Sequence, residues 1–317
     1  MKHLFIIGNA FDSILHCLPT EYTDFRSFII SRYPRAEEYM YTVPETIIMP
    51  DGDEVLDMED AARYIVHVID ECDAVKWTSL EKYLGCSIFD IFHSDLESVD
   101  FYDSDKEVKH AIYNNEELSH DIRLTFKYIK RLFFEWVDEE LKTICLSDVW
   151  KEDVYDVLRE GDGFLTFNYT KTLEEGYGIN SEKICHIHGK VGDEYEQIFF
   201  GHGEMIEYED DRENPVLWAD SLGADSNLIE LKMELLKDTN KALENNIDFF
   251  EDMSEVESIH SFGFGFGEVD MVYIEEIANR VNLGNVKWYI NKYDRDYTNI
   301  PGKLKELGFQ VEVDTRW

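Results

Sequence analysis

The chain has 317 residues, 44% of them hydrophobic and 14% aromatic, which is enough apolar matter for a sizeable core and too much for disorder. Its 68 acidic residues against 30 basic ones give a formal net charge of −38, a surface that repels phosphate backbones and argues against general nucleic-acid binding. Five scattered cysteines (Cys17, Cys72, Cys86, Cys145 and Cys185) contain no CxxC pair, so a disulfide framework or a cysteine-rich zinc site is not expected.

The first apolar run, Leu4–Ile7, breaks at Gly8 and is too short for a signal peptide. No run approaches membrane-spanning length, and the expectation is a soluble cytoplasmic protein. Similar short runs recur at Phe164–Phe167, Ile184–Ile187, Ile198–Phe200, Ser258–Phe264 and Val286–Ile290, with a weaker one at Phe309–Val313. They suit buried strands of a mostly parallel sheet covered by helices on both faces. Helical spacing marks Ala61–Cys72, Trp77–Leu84, Asp121–Ile144, Leu228–Lys241 and Met271–Val281. Asp51-Gly52-Asp53-Glu54 and Glu209-Asp210-Asp211 lack the spacing of a calcium loop and read as solvated surface. The predicted fold class is therefore α/β, an open, mostly parallel Rossmann-like sheet. Residues 1–317 form one domain in this reading, with residues 30–150 a helical insertion after the first strand.

Four strand ends carry chemistry. Gly8-Asn9-Ala10-Phe11-Asp12 leads a strand into small residues and then a helix, the way open α/β sheets approach phosphates. The alternative is a plain turn with Asp12 as helix cap. Thr166-Phe167-Asn168-Tyr169-Thr170 places the Asn168 amide at a strand's carboxyl end, to meet a ligand or to cap the helix expected over Thr170–Tyr177. In "ICHIHGKV", His186 and His188 alternate along a strand and are expected on one face. His188, next to Gly189, suits general acid/base work. A metal reading with His202 as third ligand ranks lower, and no metal is expected. Finally "SFGFGFGEVDM" spaces Gly263, Gly265 and Gly267 by two, which weakens a strand unless something approaches its backbone. Glu268 and Asp270 follow, to hold ribose hydroxyls or to cap the next helix. Glu81, one turn after Trp77 in "WTSLEKYLG", reads as the edge of a packing stripe.

Taken together, the segments "LFIIGNAFD", "LPTEYTDFRSFI", "WTSLEKYLG", "FLTFNYTKTLEEGYG", "HIHGKV", "FGHG" and "GFGEVDM" resemble the bacteriophage abortive-infection AbiH family and occur in its order. More distantly the layout is similar to sirtuin-like NAD-binding domains. This chain departs from the family at Ala10, where glycine is usual, at Phe264-Gly265, where His-Ser is frequent, and by one extra residue in Ser13–Cys17.

The resemblance implies a phage-defence protein that binds NAD and hydrolyses its nicotinamide–ribose bond. Gly8, Asn9, Ala10 and Asp12, with Phe11, would then line the pyrophosphate, and Asp24, Phe25 and Arg26 would sit over the nicotinamide end. Asn168 and His188 would be the reacting pair, with Thr166, Phe167, Tyr169, Gly189, Gly263, Gly265, Glu268 and Asp270 adding nucleotide contacts. Two other readings stand beside it: a non-catalytic nucleotide sensor, and an interaction protein whose acidic surface meets a phage-derived trigger or partner. A homo-oligomer is compatible with each.

Overall fold

Leu4, Phe5, Ile6 and Ile7 are all essentially inaccessible, which a strand achieves only when both faces of its sheet are covered. That strand is β1 (His3–Ile7), and it lies in the middle of a parallel six-stranded sheet. The structure, a computed structural model, describes residues 1–38, 42–52, 54–71, 77–85, 87–99, 103–203, 222–251, 253–292, 294 and 300–316. The chain divides into two units.

The first unit takes residues 1–21, 134–199 and 238–317. Besides β1 it holds β4 (Gly163–Thr166), β5 (Ile184–His186), β6 (Ser258–Phe262), β7 (Lys287–Asn291) and β8 (Gln310–Asp314). A short antiparallel pair, β2 (Ile47–Ile48) with β3 (Glu54–Val55), belongs to the second unit. The six-stranded order is β5-β4-β1-β6-β7-β8. Counting only its own members, this is 3-2-1-4-5-6, the doubly wound arrangement, whose direction of winding reverses between β1 and β6. Phe5 pairs with Phe164 on one side and His260 on the other, so all the carboxyl ends emerge along one edge. Side chains alternate between two cores. Leu4, Ile6, Leu165 and Ile259 pack with Tyr273 and Ile277, whereas Phe5, Ile7, Phe164 and Phe262 pack with Phe11 and Leu173.

Three expectations need correction. Ile198–Phe200 is not a strand: it leaves a 3-10 turn at Tyr195–Gln197 and gives one bridging bond, Phe199 N–H to the His188 carbonyl at 3.0 Å. Phe199 and Phe200 are buried without a ladder, and Gly201 turns the chain at once with φ 139°. The helix expected over Leu228–Lys241 is two helices, Asp225–Leu235 and Thr239–Asn245, parted at Leu236, whose ψ of 133° is extended. The stretch Asp121–Ile144 is likewise split. Its first part ends the long helix Asp105–Phe126, opened by a Ser104–Glu107 capping box, and Tyr128–Glu135 and a π-turn at Trp136–Glu140 follow.

The second unit takes residues 22–133 and 200–237 and is largely helical. Arg123 on Asp105–Phe126 pairs with Glu230 and, at 2.7 Å, with Glu234 on Asp225–Leu235. The "FGHG" segment closes the free end of the latter helix: His202 N–H donates to the Leu235 carbonyl and its Nε2 to the Lys232 carbonyl. Glu81 meets Lys237 in a buried ion pair at 2.8 Å. The Glu209-Asp210-Asp211 stretch lies outside the described residues.

Candidate functional site

Five of the six strand ends supply polar groups to the carboxyl edge of the sheet. At the winding reversal, the loops after β1 and β6 cross backbone to backbone. Gly8 N–H donates to the Phe262 carbonyl at 2.9 Å and Ala10 N–H to the Gly263 carbonyl at 3.3 Å. A Cβ on Gly8 would lie 2.4 Å from the Gly263 oxygen, and one on Gly263, at φ 69°, would lie 2.5 Å from the Phe11 nitrogen. What approaches these two glycines is each other's loop. The Gly263 amide is in turn held by the Asp294 carboxylate beyond β7, at 2.6 Å. Burial pushes that carboxyl up to about 6 against the hydrogen bond from Gly263.

Beyond Gly8 the chain winds into a π-turn, Phe11–Leu15. A π-turn takes one residue more per turn than an α-turn. Asp12 does not cap it; the cap position is Ala10. Instead the carboxylate, wholly buried, turns toward the loop after β4 and accepts from the Thr170 hydroxyl, which also contacts Thr172 Oγ1 at 2.9 Å. Burial pushes Asp12 up to about 6, opposed by hydrogen bonds from Thr170, Thr172 and Asn168 and by the charge of His186.

Asn168 follows β4, its N–H bound to Thr166 Oγ1 at 3.2 Å. It caps no helix: the segment expected to be helical is a second π-turn, Thr172–Gly176, capped at Lys171. The Asn168 carbonyl accepts from His186 Nδ1 at 3.1 Å, and His186 Nε2 lies 2.9 Å from Glu174 Oε1. Both partners are acceptors, so both bonds form together only when the ring carries both protons. Burial pushes Glu174 up, yet the His186 hydrogen bond, its charge and Lys190 outweigh this and hold the carboxyl below its usual range.

His186 and His188 do not share a face. The strand stops at His186, and the following turn swings His188 onto the opposite core, where Phe167 meets it edge-on at 5.2 Å and Tyr273 at 5.6 Å. There His188 Nε2 lies 3.3 Å from Asp270 Oδ1, and the Asp270 side chain leaves the helix Met271–Arg280 uncapped. A histidine backed by a carboxylate is the arrangement that orients a general base. Gly189, at φ 83°, permits the turn, since a Cβ would lie 2.3 Å from the Gln197 carbonyl. The Tyr169 hydroxyl donates to the Phe199 carbonyl at 2.8 Å. Phe264 and Phe266 are buried in the core while Gly265 and Glu268 are exposed and Asn9 half-buried.

Asp24, Phe25 and Arg26 belong to the second unit. There Phe25 is buried against Phe133 and Phe200, and Arg26 makes two 2.6 Å bonds to the Asp70 carboxylate. Among the described residues, no group of three or more His, Cys, Asp or Glu side chains is placed to hold a metal, and no helix is long and apolar enough to cross a membrane.

Among the described residues, several buried polar atoms around Asp12 have no hydrogen-bond partner: Asp12 Oδ1, Ser13 Oγ, His16 Nδ1, Asn168 Oδ1 and Glu174 Oε2. All lie in the loops that follow β1 and β4. The family model described as bacteriophage abortive infection AbiH matches residues 4–292. The chain belongs to the AbiH family. With that membership comes a role in bacteriophage abortive infection. No curated protein and no solved structure matches the chain. Asp294 stands outside the motifs singled out in the sequence; it follows β7 by three residues, and a carboxylate just past an apolar strand is the signal by which it is found.

Proposed function

We propose that this AbiH protein binds NAD along the carboxyl edge of its sheet and hydrolyses the nicotinamide–ribose bond, giving ADP-ribose and nicotinamide. The observation that carries the reading is the pair of buried, unpartnered oxygens on Asp12 and Asn168 at the ligand-binding edge of a doubly wound sheet. Unmet hydrogen-bonding capacity of that kind costs about 1–3 kcal/mol per group unless a polar ligand or water meets it.

Cleavage passes through an oxocarbenium-like state, and nicotinamide leaves without protonation. The protein then has to hold the sugar, exclude bulk water and take one proton from the attacking water. His188, oriented by Asp270, takes the proton; Asn168, its backbone fixed by His186, orients the sugar or the water. One well-placed base contributes about 10²–10⁴-fold, and orientation supplies the rest.

A second reading, nucleotide binding without turnover, is favoured by one observation: His188 is only 3% exposed. Mass spectrometry of NAD incubated with the purified protein and with its His188→Ala and Asn168→Ala variants separates the two. Hydrolysis predicts ADP-ribose from the wild type alone. A sensor predicts intact NAD and a raised melting temperature. Equal turnover by both variants removes Asn168 and His188 from the chemistry.

A further inference from the structure

The Asp12 corner says more about its ligand than that it is polar. The resemblance assigns Asp12 to a pyrophosphate, but a buried carboxylate repels phosphate. The Gly8 and Ala10 amides that would cradle phosphate donate instead to the Phe262 and Gly263 carbonyls. The His186 ring is committed to the Asn168 carbonyl and to Glu174.

Two of the open atoms of this corner are acceptors on the candidate site residues Asp12 and Asn168. Among the described residues, Asp12 Oδ1 and Asn168 Oδ1 have no hydrogen-bond partner, while Asp12 Oδ2 is engaged by Thr170. Ionised carboxylate oxygens and amide oxygens accept only, so the matching ligand groups are donors. A ribose offers two vicinal hydroxyls at the spacing of neighbouring acceptors, and neither brings a charge into the corner.

We infer that Asp12 and Asn168 together grip a ribose diol, so that the site takes ribosides and discriminates against their 2′-deoxy counterparts. The inference rests on the NAD reading and names its specificity-determining residue. A charge-assisted bond from the sugar hydroxyl to Asp12 would strengthen as the sugar becomes oxocarbenium-like, which ties the same contact to rate as well as binding. The burial that pushes Asp12 up to about 6 is consistent with a carboxylate that gains from a neutral donor.

The test is calorimetric titration of the full chain with NAD and with NAD lacking the 2′-hydroxyl of either ribose in turn. The wild type is expected to bind one of these analogues at least about 10-fold more weakly than NAD, the size of one good hydrogen bond to a charged group. Asp12→Asn, which keeps the shape and an oxygen for Thr170, should narrow that gap to within about threefold. Should the variant not fold, the wild-type comparison decides alone. NAD binding with no discrimination overturns the inference and leaves the NAD reading standing. No NAD binding removes both. Full discrimination retained by Asp12→Asn assigns the hydroxyl elsewhere and also overturns it.

Discussion

Two buried polar clusters of the first unit each gather a carboxylate, a histidine and a hydroxyl, and they differ in how far their hydrogen bonds are met. At the start of β6, Ser258 Oγ lies 3.0 Å from His260 Nε2, and His260 Nδ1 lies 3.1 Å from Asp314 Oδ2. Those are the distances of a nucleophile, a base and its orienting carboxylate. Yet the cluster is closed. His3 Nδ1 lies 2.8 Å from the serine oxygen, Arg316 engages Asp314 and reaches Glu160, and Phe5 and Tyr289 stack on the His260 ring at 4.9 Å each. It is a clasp that ties β6 to the last strand. The Asp12 corner has the reverse balance, with acceptors that no protein donor meets. The carboxyls report this difference. Burial pushes both up, but His260 and Arg316 outweigh it and hold Asp314 far below the usual range, whereas Asp12 stays at about 6. Residue identity and spacing do not separate a site from a strut; unmet hydrogen-bonding capacity does.

The contrast is broken first at the chemistry. Asn168→Ala and His188→Ala should each lower NAD turnover by about 10²–10⁴-fold, while Ser258→Ala, despite its triad geometry, leaves turnover at the wild-type level. Labelling of Ser258 by a fluorophosphonate would count against the clasp. Next in size is Asp314→Ala, which leaves the buried His260 ring without its carboxylate partner, while the exposed Arg316 turns to water. It should cost about 1–3 kcal/mol in urea denaturation without a selective effect on nucleotide binding.

Asp12→Asn should do the opposite. A carboxyl raised from 3.8 to about 6 on folding favours the protonated fold, so its stabilising contribution is complete below pH 4 and lost as pH rises through 6. The variant should therefore be more stable than wild type at pH 8 by up to about 3 kcal/mol, with the difference vanishing near pH 4. Glu174 carries the contrary sign: held low, it stabilises above its unfolded value and loses that contribution as pH falls. Glu174→Gln should cost about 1 kcal/mol at pH 7, the smallest of these effects, read from the same denaturation curves.

The strands were legible because a strand covered on both faces is dominated by apolar residues, as Leu4–Ile7 and Phe164–Leu165 are. Ile198–Phe200 has the same composition but is buried by packing alone, which local pattern cannot distinguish from a ladder. The candidate site was legible as strand ends, and Asp12, Asn168, His188 and Asp270 all belong to one unit, though His188 and Asp270 face the opposite core from His186. Their partners were not. The glycines at 8 and 263 serve each other's loops, the two histidines part because β5 stops at His186, two residues before His188, and Phe25 is buried in the second unit. The Ser258–His260–Asp314 clasp joins residues 54 apart through strand order, which no motif spells out.

The most direct measurement is a crystal structure of the protein grown with ADP-ribose. The account predicts a ribose hydroxyl within hydrogen-bonding distance of both Asp12 Oδ1 and Asn168 Oδ1, with His188 and Asp270 beside the sugar. Ordered water bridging those two oxygens, with the nucleotide bound elsewhere or not at all, would contradict it.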